Sequence, residues 1–274
     1  MGCNLISPDD SKNFLDFLIA LRAQVGDDFT LTAAAGITPF AGPDGTPMSD
    51  VSEFASALDW VAIMNYDVWG SWSPTSGPNA PLADACSPNP QGSATSAVKA
   101  WTDAGFPADQ LVLGVAAYGH SFKVAQAAAL AGPGLTLDPY AAFDKAAQPL
   151  GDSWDEVAPA GVDQCGNPSA GGPSGIFNFW GLVESGFLTA TENGTAPAAG
   201  VDYVFDECSQ TPFAYKRETG TMVSFDDARS FAAKGAFIND AGLLGFAMWE
   251  AAGDFEDVLL DAISEAIGIE EVGC

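Results

Sequence analysis

Positive charge is scarce in this chain. Of its 274 residues only 9 are Lys or Arg, against 36 Asp or Glu, for a formal charge of −27. A field of that sign repels phosphate backbones and anionic headgroups, so neither nucleic acid nor a membrane surface is expected as a partner. Histidine is scarcer still, since His120 is the only one. None of the five cysteines (Cys3, Cys86, Cys165, Cys208 and Cys274) sits at CxxC spacing, so an ordinary Cys/His zinc site lacks its ligand set. No run approaches the roughly 18 continuous apolar residues of a membrane span. Met1 is followed by neither a basic start nor an apolar stretch, so no signal peptide is read in this chain.

Apolar residues are abundant at 47%, enough for a large core. The acidic residues are interspersed among apolar runs rather than blocked, which argues for a folded chain with a solvated surface. Ser7-Pro8-Asp9-Asp10 reads as a helix start, and Phe14, Leu15, Leu18, Leu21 and Val25 follow on one helical face. FTLTAAAG (29–36), WVAIMNY (60–66), LVLGVAAYG (111–119) and LLGFAMWE (243–250) read as strands. Helices are expected over 52–57, over 93–104, over 226–237 with Ser224 as cap, and along Phe255, Leu259, Ile263 and Ile267. Strands that are continuously apolar and alternate with helices point to a parallel sheet covered by helices. Residues 122–223 break this rhythm. They are richer in Gly and Pro and read as an inserted α+β subdomain, dividing the chain into 1–121, 122–223 and 224–274.

One strand ends oddly. After WVAIM come Asn65, Tyr66 and Asp67, then Trp69 and Trp72 in a loop that runs to residue 92 and is rich in Pro, Ser and Asn. On their own, Tyr66 and Asp67 read as a buried tyrosine with a capping aspartate. Trp69 and Trp72 either line a binding cleft or anchor the loop. Cys165 and Cys208 both fall in the 122–223 stretch, and a bridge between them is one possibility, two free thiols the other. Asn193-Gly194-Thr195 is a glycosylation sequon in a polar loop.

IMNYD at the end of one strand, LGVAAYGHSF in the next, a long insertion and then GLLGFAMWEAAGD together resemble family 18 glycoside hydrolases, the secreted fungal chitinase type above all. The resemblance runs in order over nearly the whole chain. It implies an α/β fold, the second half of a (β/α)8 TIM barrel with an inserted α+β subdomain. It implies chitin or chitooligosaccharides as partners, a monomer, an extracellular location and no cofactor. By resemblance Tyr66 holds the acetamido carbonyl of the sugar and Asp67 sits beside it near the developing positive charge. Trp249 forms the floor under the reacting sugar, Met64 packs beneath, and Tyr118 lines the cleft. His120 falls where many relatives have arginine and reads as a surface or structural histidine. Glu250 is expected to point away from the floor, because side chains alternate along a strand.

The family's Asp-x-x-Asp-x-Asp-x-Glu strand, which carries the acid that protonates the leaving oxygen, is not found. Asp152 and Asp155 begin such a spacing, but the rest of it does not follow. The chain is therefore expected to lack appreciable chitinase activity. The alternatives are a chitin-binding protein that does not hydrolyse, or a truncated product without function.

Overall fold

The computed structural model describes residues 5–131, 136–162, 165–192 and 194–269. The first helix, α1 (Asp10–Val25), follows the Ser7–Asp9 turn, where the Ser7 N–H donates to Asp10 Oδ2. Strand β1 (Thr32–Ala35), helix α2 (Ser52–Ala57), strand β2 (Trp60–Ile63), helix α3 (Ala94–Asp103) and strand β3 (Leu111–Ala116) come next. Ser93 caps α3 in a capping box with Ser96, so the polar loop before it ends where the helix begins.

Strand β4 (Tyr118–Lys123) and helix α4 (Gln126–Ala129) lead into the short strands β5 (Gly161–Val162) and β6 (Pro168–Ser169). Then come β7 (Ile176–Asn178), α5 (Phe179–Glu184), β8 (Leu188–Thr191), β9 (Gly194–Pro197), β10 (Val201–Asp206), β11 (Thr211–Lys216) and β12 (Thr221–Ser224). Helix α6 (Ala228–Ala241), strand β13 (Gly245–Trp249) and helix α7 (Val258–Ile267) close the chain.

Two larger sheets organise these elements. One is parallel, in the order β1-β2-β3-β13; the other, β10-β11-β12-β4-β7, is antiparallel. The apolar runs thus form a parallel sheet, as their pattern predicts. Val61, Ile63 and Leu111 pack with Leu15, Leu18, Phe54 and Trp101 of the covering helices and with Phe106 from the loop after α3. A second core is shared by both sheets. It joins Leu113 and Val115 to Phe177, Ala214 and Val223, and to Phe231, Ile238, Leu259 and Ile263 from α6 and α7.

The stretch 111–119 is not one strand. Strand β3 stops at Ala116 in the parallel sheet, and β4 starts at Tyr118 in the antiparallel one. Ala117 between them ties both: its N–H donates to Trp249 O at 2.8 Å and its carbonyl accepts the Phe179 N–H at 2.9 Å. Unbroken apolar sequence hid this change of sheet. Gly119 is needed just after it, since a Cβ there would lie 2.1 Å from Ser224 O. Ser224 in turn is part of β12, and the cap of α6 is Asp227, paired with Ser230 in a capping box.

Neither possibility left open for Cys165 and Cys208 holds: they are not bridged to each other, and they are not free thiols. Cys208 is bonded to Cys86, with Cα atoms 5.8 Å apart, and Cys165 is disulfide-bonded elsewhere. The reason is the path of the 70–92 loop, which runs over the β10–β11 turn. There the Leu82 N–H donates to Ser209 O at 2.8 Å, which brings Cys86 against Cys208. Asn193 of the sequon lies outside the described residues.

Beneath the junction of the two sheets lies a fully buried ion pair, Asp226 with Lys234. Burial pushes the Asp226 carboxyl up and the Lys234 amine down, each partly restored by the opposite charge of the other.

Candidate functional site

The odd strand ending lies at the carboxyl end of the parallel sheet. Strand β2 stops at Ile63, and Met64, Asn65, Tyr66 and Asp67 follow it over the rim. Trp249 is the last residue of β13 and is 61% exposed. Trp249, Asp67, Tyr118, His120 and Trp72 line one cleft of about 360 Å³, together with Ile176, Asn178 and Glu250. Asp67 also borders a second cleft of about 350 Å³, which holds Met64, Tyr66, Val68, Gln91 and the residues Gly36 and Ile37 after β1. Asp67 is thus the wall common to both.

The Asp67 carboxylate is held from the antiparallel sheet. Tyr118 donates its hydroxyl to Asp67 Oδ1 at 2.6 Å, and His120 Nε2 lies 2.8 Å from the same oxygen. Half-burial pushes the Asp67 carboxyl up, but the hydrogen bonds from His120 and Tyr118 and the charge of the histidine outweigh it, so the group is held below the ordinary carboxylate range. An ionised carboxylate only accepts, so the proton in the His120–Asp67 contact belongs to Nε2. Burial, reinforced by Asp67, pushes the Tyr66 phenol upward, and the same two causes raise Tyr118 much further. Both phenols are neutral donors at pH 7. Their rings meet edge to face at 6.1 Å.

Of the residues singled out by sequence, Asp67, Tyr118, Trp72 and Trp249 come together in one cleft, with Tyr66 and Met64 in the adjoining one. Trp69 does not join them. It is 1% exposed and packs edge to face on Tyr140 at 5.8 Å, against the backbone of Gly77, where any side chain would clash with the indole. It anchors the loop, whereas Trp72 is 59% exposed and meets the His120 ring at 5.3 Å.

Sequence reasoning left His120 as a surface or a structural histidine, and it is the second: buried, and holding the site carboxylate. Strand periodicity carried that signal, since residues two apart point to one face and Tyr118 was already placed in the cleft. Glu250 lines the cleft instead of turning away, because β13 ends at Trp249 and alternation stops governing the chain there.

The arrangement offers an exposed indole face beside an ionised carboxylate and neutral phenols. An apolar ring face suits the C–H face of a pyranose, and the polar groups suit its hydroxyl and amide substituents. Comparison with known proteins agrees in kind. A protein named chitinase-like effector from Moniliophthora roreri is 47% identical over 98% of this chain, which spans 64% of that relative's length. A crystal structure of a chitinase from Rhizomucor miehei matches 97% of the chain, and 69% of its own, with a TM-score of 0.83 and 33% identity. A chitinase from Cycas revoluta in complex with (GlcNAc)3 shares the fold over 97% of this chain and 66% of its own, with a TM-score of 0.68 and 22% identity. The profile of Glycosyl hydrolases family 18 matches residues 2–254, and the chain belongs to that family with its chitinase-like α/β fold.

Proposed function

We propose that this chain carries the N-acetylglucosamine-binding part of a family 18 site, and that the 274-residue polypeptide binds chitooligosaccharide without cleaving it. One observation carries the reading. The exposed Trp249 indole and the Asp67 carboxylate, from the ends of two parallel strands, line one cleft. In this reading the pyranose stacks on Trp249. The Tyr66 hydroxyl donates to the acetamido carbonyl, a task for which its raised, un-ionised phenol is suited. Asp67 stays ionised and places negative charge where a positive oxazolinium ion would develop. Trp72, projecting beside His120, extends the apolar surface to a neighbouring sugar.

Hydrolysis needs one more group, an acid for the leaving oxygen. The sequence contains no Asp-x-x-Asp-x-Asp-x-Glu spacing to provide it. Without a general acid the rate falls by a factor on the order of 10²–10⁴. The name of the Moniliophthora roreri relative, a chitinase-like effector, supports a role other than turnover.

The same reading takes the parallel sheet as the second half of a (β/α)8 barrel and residues 122–223 as a subdomain inserted in it. It places the protein outside the cell, which the Cys86–Cys208 disulfide supports, since such bonds persist in oxidising compartments.

The test is titration of the purified chain with N-acetylchitotetraose, followed by tryptophan fluorescence, with an assay for new reducing ends. Saturable binding, no reducing ends, and binding that is weakened yet still measurable in Trp249→Ala are expected. Release of reducing ends at rates usual for chitinases overturns the non-hydrolytic reading. Absence of binding by the folded chain overturns the site.

A further inference from the structure

Asn79, in the loop between Trp72 and α3, is fully buried beneath the cleft. Every polar group it has is used, and the partners belong to different parts of the site's frame. Its Oδ1 accepts the Asp67 N–H at 2.9 Å, and its Nδ2 donates to Tyr118 O at 2.9 Å. Its own N–H donates to Ser224 Oγ at 2.6 Å, and its carbonyl accepts the Val68 N–H at 3.0 Å. One residue thereby joins the chain after β2, the start of β4 and the end of β12.

Asp67 needs such a hold. Its φ is +56°, in the left-handed region, which a residue other than glycine keeps only where its surroundings impose it. That backbone turn aims the carboxylate at the Tyr118 hydroxyl and His120 Nε2. Asn79 grips both ends of the contact, since it binds the main chain of Asp67 with one side-chain atom and that of Tyr118 with the other.

We propose that Asn79 is a positioning residue of the cleft: by locking the left-handed backbone of Asp67 onto the start of β4, it fixes where the site's carboxylate stands. The proposal deepens the chitooligosaccharide reading, and its ligand arm rests on that reading. It is distinct from a strut for the loop. Loss of a strut lowers the melting temperature but leaves the Asp67 carboxylate against His120.

His120 makes the difference measurable. It is the only histidine, so its imidazole Hε1 gives a single signal in proton NMR, and the ring touches the carboxylate in question. The whole chain is compared with Asn79→Ala, Asp67→Ala, Trp249→Ala and the doubles that pair Asn79→Ala with each of the others. Asn79→Ala is expected to move the His120 signal toward its position in Asp67→Ala, with no further movement in that double. Affinity for N-acetylchitotetraose is expected to fall about tenfold in Asn79→Ala. That loss should vanish on an Asp67→Ala background and persist in full on Trp249→Ala. A folded Asn79→Ala with an unmoved His120 signal overturns the proposal, as does a loss of affinity that adds fully to Asp67→Ala. Should Asn79→Ala not fold, Ser224→Ala removes only the acceptor for the Asn79 N–H. A smaller shift in the same direction then supports the proposal, and an unmoved signal overturns it. If the unaltered chain binds no oligosaccharide, the ligand reading fails while the His120 signal still decides the role of Asn79.

Discussion

The parallel and antiparallel sheets contribute to the cleft in different ways. In the central strands of the parallel sheet Val61, Ile63, Leu113 and Val115 are committed to packing in the cores. At the carboxyl ends other residues reach the clefts, and there stand Tyr66, Asp67 and Trp249. The antiparallel sheet works from within a strand. Tyr118 and His120 share one face of β4 and reach the cleft, while Phe122, next on that face, is already in another core. The parallel sheet thus presents the groups that the proposed reading assigns to the sugar, and the antiparallel sheet holds one of them, Asp67.

The covalent tie between the two regions gives the largest way to break that division. Cys86 belongs to the loop carrying Trp72 and Asn79, Cys208 to the β10–β11 turn, and 122 residues separate them. Chain entropy alone assigns such a closure about 5 kcal/mol. The double variant Cys86→Ser with Cys208→Ser should lose stability of that order in urea unfolding. A loss below about 1 kcal/mol would mean that the shared core, not the disulfide, holds the sheets together.

The buried pair Asp226–Lys234 is next. It sits between the end of β12 and α6, where the antiparallel sheet passes into a helix that covers the parallel one. Lys234→Met leaves the Asp226 carboxylate buried without its partner and should cost about 3–5 kcal/mol. Adding Asp226→Asn should recover part of the loss, because the stranded charge is then gone. Equal melting temperatures for the single and double variants would refute this account.

Trp69 and Trp72 bring the comparison down to two indoles three residues apart. Trp69→Ala should cost about 3 kcal/mol of stability, by cavity formation against Tyr140. Trp72→Ala should leave stability within about 0.5 kcal/mol and weaken N-acetylchitotetraose binding about tenfold. The reverse pattern would exchange the roles assigned to them.

Those two residues also show what sequence could reveal. Apolar runs alternating with helix signals exposed the parallel sheet, because buried parallel strands have few other ways to be written. Motif order exposed Tyr66, Asp67 and Trp249. Whether Trp69 or Trp72 faces the ligand depends on loop packing that no local pattern encodes. The same holds for the disulfide, since the partner of Cys208 is decided by the path of the 70–92 loop over a distant turn. Asn79 was invisible for a related reason: its partners Asp67, Tyr118 and Ser224 are spread across the chain. The change of sheet at Ala117 was hidden because the residues on both sides of it are buried and apolar or small.

The smallest expected effect bears most directly on the control of one sheet by the other. Asp67 titrates below its ordinary value because hydrogen bonds from β4 outweigh the opposing effect of burial. A carboxyl lowered in the folded state contributes stability that is complete above the ordinary carboxylate range and disappears as pH falls through the depressed value. Half of the side chain is exposed, so the stability change itself is slight. Oligosaccharide affinity is the better readout, since Asp67 in its ionised form faces the cleft. Tyr118→Phe removes the 2.6 Å hydrogen bond and keeps the ring in place. The acid limb of binding should therefore move to higher pH in Tyr118→Phe than in the unaltered chain. Coincident acid limbs would show that the Tyr118 hydrogen bond does not set the ionisation of the carboxylate, leaving His120 as the β4 residue that holds it.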